Sequence, residues 1–326
     1  MQTEPLIQWT EPAMQLVEFA GAFLAAGAVG FRYAVVRGRL GAGDIASSGD
    51  RMVYAAAARR AAVLGLLGAV IGAVYLAMGV NGAAARAEVG VAELVARGGP
   101  LALRVVLAPV AIIGFALAAA GRKVGWPLAG VGVVAGALAG AFFGQWTRLV
   151  NPIHMLAGGL WIGTLFVLLS CGLTVAMRGD GGRQRRGVIV AEMVRAFSPL
   201  AMLMGAVLVS FGGITAWRHL KYVAALWTTP YGWTFMAKLC VVAVVFALGA
   251  WNWRRGSALG SDHAAVAVRR SARAELMAAA VVLLITSVLV SLPSPRLPGP
   301  APVVPAAAPG AAVVPAAVTP APPVAP

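Results

Sequence analysis

The stretch PIHMLAGGLWIGTLFVLLSCGLTV, residues 152–175, decides the fold. It runs for two dozen residues with no acid, lysine or arginine, and one histidine stands beside one methionine at its mouth. About twenty apolar residues in helical form cross a hydrocarbon core, and barrel strands would alternate polar with apolar instead. The run therefore reads as a transmembrane helix.

The rest of the chain repeats that pattern. Of 326 residues, 60% are hydrophobic and 11% charged, with a mean hydropathy of +0.84. A soluble domain could not cover so much apolar surface, so the class is an all-α, polytopic membrane protein. The apolar runs predict eight spans, near 14–36, 61–79, 101–120, 126–143, 152–175, 197–217, 233–253 and 274–292. They group as an N-terminal four-helix region (1–150), a C-terminal four-helix region (151–292) and a Pro/Ala-rich tail (293–326). Proline removes backbone donors and forbids helix, so the tail reads as an extended, disordered spacer.

The formal charge of +15 would suggest nucleic acid in a soluble protein. Here topology explains it. Most lysines and arginines fall in the loops after spans 1, 3, 5 and 7, among them Arg37, Arg39, Arg59, Arg60, Arg185, Arg186, Arg254 and Arg270. The positive-inside rule then places both termini outside the cytoplasm, periplasmic for a bacterial inner membrane. Trp146, Trp217, Trp227 and Trp233 fit an outer aromatic belt, and Trp126, Trp251 and Trp253 an inner one. The partner implied by composition is the lipid bilayer, with no nucleic acid. Cys171 and Cys240 lie inside apolar runs and form no metal-binding spacing.

Few residues can carry chemistry. His154 lies in the first turn of span 5. It reads either as an interfacial histidine or as a ligand for a soft ion such as Cu(I), for which imidazole and thioether are suitable donors. Met155 points about 100° away on a helix and cannot simply share one ion with it. Met202 and Met204 on span 6 are further thioether candidates, with gap-filling as the alternative. Trp161, seven residues after His154, projects from nearly the same face, and Gly159 with Gly163 form a small-xxx-small pair for a close neighbouring helix. Glu18 and Lys238 sit at matching depth with opposite sign and read as a pair, or Lys238 as snorkelling. Glu275 falls in the first turn of span 8, complementing the positive helix end. No P-loop appears, so no ATPase is expected; no aspartate lies in a span, which disfavours a proton-relay pump; and no enzyme is expected.

Three segments together resemble the copper resistance D family of inner-membrane proteins. IHMLAGGLWIGTLF is similar to its H-x(6)-W-x-G segment. RAFSPLAMLMGAVLVSFGGITAWRHL, followed by LWTTPYGWTFMAKLCVVAVVFALGAWNWRR, resembles its R-F-S-x-L-A, T-x-Y-G-x(4)-K and N-R segments, with R-A-F-S and N-W-R-R as departures. RRSARAELMAAAVVLLITSVLVSLPSP resembles its closing helix. The resemblance covers about residues 151–293. It implies an eight-helix architecture and copper as the transported ion, beside a periplasmic copper carrier. It points to His154, Trp161, Gly163, Tyr231, Gly232, Lys238 and Glu275. A copper permease, importing, is the expectation, with a non-transporting scaffold for a copper carrier or copper oxidase as the alternative.

Overall fold

The computed structural model describes residues 8–37, 48–178, 183–220, 222–255 and 262–295. From Arg296 onward the expected Pro/Ala tail lies outside the described residues, as does Arg39. Among the described residues every element is helical. In chain order they are α1 (Thr10–Gly30, continued by a π-turn over Phe31–Val36), α2 (Ser48–Arg86), α3 (Val91–Ala96), α4 (Gly99–Ala119) and α5 (Gly125–Ala137). There follow α6 (Val150–Met177), α7 (Arg183–Leu220), α8 (Ala225–Thr228), α9 (Pro230–Arg255) and α10 (Asp262–Ser291).

Seven of these are long and apolar enough to span a membrane, and α5 is the shorter eighth. At 1.5 Å per residue α5 covers about 20 Å. The 3₁₀ segment Ala139–Phe143 extends it by about 10 Å, so the expected run at 126–143 folds as two helix types rather than one. The long helices correct the sequence reading in a second way. α2 has 39 residues and α7 has 38, so basic stretches expected as loops, including Arg51, Arg59, Arg60 and Arg195, are helical. Hydropathy marks only the part of a helix that needs lipid. Alanine- and arginine-rich flanks are good helix formers and carry the same helix past the interface.

α1 and α6 are the most buried spans and form the centre of the bundle. Their backbones meet where side chains are absent. A Cβ on Gly27 would collide with the Gly163 backbone, and one on Gly163 with the Phe23 carbonyl. Thr164 Oγ1 donates to the Gly27 carbonyl at 3.3 Å across the same contact. In lipid, where no hydrophobic effect draws helices together, such close approach supplies the dispersion that does. α1 also packs on α2 and α10, and α6 on α7. Residues 1–150 and 151–292 are thus sequence regions that interleave, within one compact unit extending to Pro295.

Further pairs are α2 with α4, α4 with α5, and α9 with α10. Trp126 is 6% exposed, edge-on to Phe115 at 6.2 Å with the Arg32 guanidinium 5.8 Å above its ring. It is a core residue, which corrects its assignment to the inner belt. An indole that shields a cation inside the bundle gains more than one at the headgroups. Trp146, Trp217, Trp227, Trp233 and Trp251 are exposed, as belt residues are.

Candidate metal-capture site

α6 starts at Val150, so Pro152 falls in its first turn, where a missing N–H costs no helical bond. That brings His154 to the end of the bundle at which α1 begins, its side chain turned toward α7. His154 Nδ1 lies 3.1 Å from the Leu208 carbonyl. A carbonyl only accepts, so Nδ1 carries the hydrogen, and in the neutral ring Nε2 keeps its lone pair. Holding one ring nitrogen on a backbone carbonyl is how proteins orient an imidazole for a metal at the other. The ring is pressed against Gly212, one turn beyond Leu208 on α7: a Cβ there would fall 2.9 Å from His154 Cε1. Leu208 and Gly212 are the contacts of His154 that residue-type reasoning missed. The glycine pair in SFGGIT was the available signal.

Trp161 follows on the same α7-facing side. It is buried, its ring 5.0 Å from that of Phe246 on α9 and tilted by 50°, with Gly205 of α7 beneath both. A π-turn over Gly159–Gly163 widens α6 here, a local feature frequent at functional sites. Beyond this aromatic layer a half-open cavity of about 840 Å³ lies among α6, α7, α9 and α10, lined in part by Trp161, Met202, Phe246, Arg195, Arg254 and Glu275.

The other expected residues divide between this axis and the scaffold. Lys238 on α9 is partly buried and within electrostatic reach of His154. Its expected pairing with Glu18 is replaced: Glu18 lies beside Tyr75 of α2, with Arg104 of α4 as its cationic neighbour. Equal depth did not bring them together because α1 turns that face to α2, while α9 leans on α10. Glu275 is not in a first turn. α10 begins at Asp262, thirteen residues earlier, and Glu275 is 6% exposed on the cavity wall against Gly249. Met202 is exposed and lines the cavity, and Met204 is half-buried against the main core. Met155 is half-buried on α6. His219 binds its own helix through the Thr215 carbonyl at 2.9 Å.

Tyr231, Gly232 and Gly163 serve packing. Thr229 Oγ1 accepts from Gly232 N–H at 3.0 Å, so TTPYG is a capped start of α9 with proline in its first position. A Cβ on Gly232 would strike the Ala225 carbonyl. Tyr231 is buried against Leu289 and Leu292 of the α10 end. Among the described residues no three His, Cys, Asp or Glu side chains converge on a point where they could hold a metal ion.

Residues 191–289, from α7 through most of α10, match the family Copper resistance protein D (CopD). Copper transport protein CutJ of Bacillus subtilis (strain 168) is 25% identical over 147 residues, which are 45% of this chain and 25% of CutJ. The chain thus spans about a quarter of the length of that curated relative. No solved structure matches. The family segment contains Leu208, Gly212, Lys238 and Glu275, while His154 and Trp161 precede it. Residues 191–289 of this multi-pass membrane chain are thus similar to the copper resistance protein D family, the family its C-terminal motifs resemble.

Proposed function

We propose that the protein is a copper permease of the bacterial inner membrane, without enzymatic activity, whose substrate Cu(I) is met at His154. The observation that carries this reading is the Nδ1–Leu208 carbonyl bond, which leaves Nε2 as the free donor at the bundle mouth. Copper suits an imidazole backed by thioethers better than a hard cation does. Met204 lies one turn before Leu208 on nearly the same face of α7, where a second soft donor would follow the first. The ion then has to pass the Trp161–Phe246 layer to reach the cavity around Met202 and Glu275. The excess of Lys and Arg at the opposite ends of the spans supports a periplasmic His154 and, with it, import as the direction. Lys238 repels a cation that lingers near the imidazole, which favours weak, multi-site binding over a trap.

The second reading is a membrane scaffold that holds a periplasmic copper carrier or serves a copper oxidase. The absence of a three-residue His/Cys/Asp/Glu cluster among the described residues favours it. Cu(I) uptake by liposomes containing the purified protein separates the two. The permease reading expects protein-dependent influx that His154→Ala abolishes; flux equal to protein-free liposomes contradicts it and leaves the scaffold.

A further inference from the structure

A second cavity, of about 320 Å³, lies beside the start of α6 and is independent of the copper reading. Its lining includes Pro100, Leu101, Arg104, Gln145, Arg148 and Pro152. It holds two guanidinium groups and a carboxamide and no acid. Arg104 Nε is buried and has no hydrogen-bond partner. A buried donor left unbonded costs roughly 1–3 kcal/mol, so a site that keeps one is built for an acceptor from outside. Arg104 acts electrostatically on Glu18, which lies outside the lining and is also engaged by Tyr75. One carboxylate against two guanidinium groups leaves the pocket cationic.

Two further features point the same way. Pro100 and Leu101 are the first turn of α4, a 21-residue helix whose start has no side-chain cap, so its positive end opens at the pocket. The surrounding surface is apolar and aromatic. Phe142 is 66% exposed and Trp146 68%, before and after the Gly144–Gln145 bend. Exposed rings at a span end sit at headgroup level, where bilayer phosphates are found.

We infer that this pocket binds the phosphate of an anionic phospholipid, held by Arg104 and Arg148 with Gln145 and the α4 terminus, its acyl chains lying against Phe142 and Trp146. Paired guanidinium groups match the forked oxygens of a phosphodiester. The pocket volume accommodates a headgroup, and the rings cover the glycerol and upper chains.

The test is native mass spectrometry of the full chain in detergent, titrated with phosphatidylglycerol, phosphatidylcholine or inorganic phosphate. Variants are Arg104→Gln, Arg148→Gln and the exposed distant control Arg122→Gln. The expected result is a preference for phosphatidylglycerol that falls about tenfold in Arg104→Gln and Arg148→Gln and is unchanged in Arg122→Gln. Arg148 is exposed, so its variant reports even if Arg104→Gln fails to fold. Phosphatidylglycerol retention unaffected by Arg148→Gln, or arginine-dependent binding of inorganic phosphate without any lipid preference, overturns the inference.

Discussion

The contact between His154 and Gly212 permits a test that leaves the imidazole itself in place. In Gly212→Ala the new methyl would lie 2.9 Å from Cε1 and 3.3 Å from Nδ1. Ordinary carbon contacts begin near 3.5 Å, so the ring must retreat by about 0.6 Å. That lengthens the 3.1 Å Nδ1–Leu208 bond to about 3.7 Å, outside hydrogen-bond range. The lost bond is worth about 0.5–1.5 kcal/mol, and displacing a packed ring adds about 1 kcal/mol. Copper affinity should fall by about ten- to fiftyfold, the equivalent of about 1.4–2.3 kcal/mol. Gly213, the adjacent residue, has open space where its Cβ would go, so Gly213→Ala should bind as the unsubstituted protein does. Competitive Cu(I) titration with a chromogenic chelator measures all three proteins. Equal affinities for Gly212→Ala and Gly213→Ala would refute the claim that α7 orients the imidazole.

Three more outcomes follow from named contacts. Gly163→Ala forces α6 away from the Phe23 carbonyl and should lower stability by about 1–3 kcal/mol in a denaturant titration in bicelles, while Gly213→Ala should not. Trp161→Ala removes the ring packed at 5.0 Å against Phe246 and joins the His154 end to the cavity, so proteoliposomes should leak monovalent cations; Trp161→Phe should stay sealed. Lys238→Gln removes a positive charge from the neighbourhood of His154 and should tighten Cu(I) binding several-fold, measurable by the same chelator titration.

Span existence was legible because hydrocarbon imposes a length of apolar residues that composition alone displays. Span ends were not, because helices continue past the interface at no penalty; this is why Glu275, thirteen residues into α10, was read in a first turn. The interface role of Gly163 was also legible, since small residues at a spacing of four leave little else to explain them. His154 could be singled out by scarcity, yet its partner is a main-chain carbonyl, a group every residue carries, so no residue type announces Leu208. The Glu18–Lys238 pairing failed for a similar reason. Depth along a helix follows from counting residues, but azimuth depends on which neighbours each helix chooses, and α1 set its Glu18 face against α2. TTPYG, in contrast, shows its local role openly: a threonine cap, a proline in first position and a glycine where the backbone of the α8 turn presses.

The most direct measurement is X-ray absorption at the copper edge for the purified protein loaded with one equivalent of Cu(I), compared with His154→Ala. The account predicts a nitrogen scatterer with the outer-shell pattern of imidazole in the parent protein, lost in the variant together with most of the affinity. Identical spectra and affinities for the two proteins would contradict it.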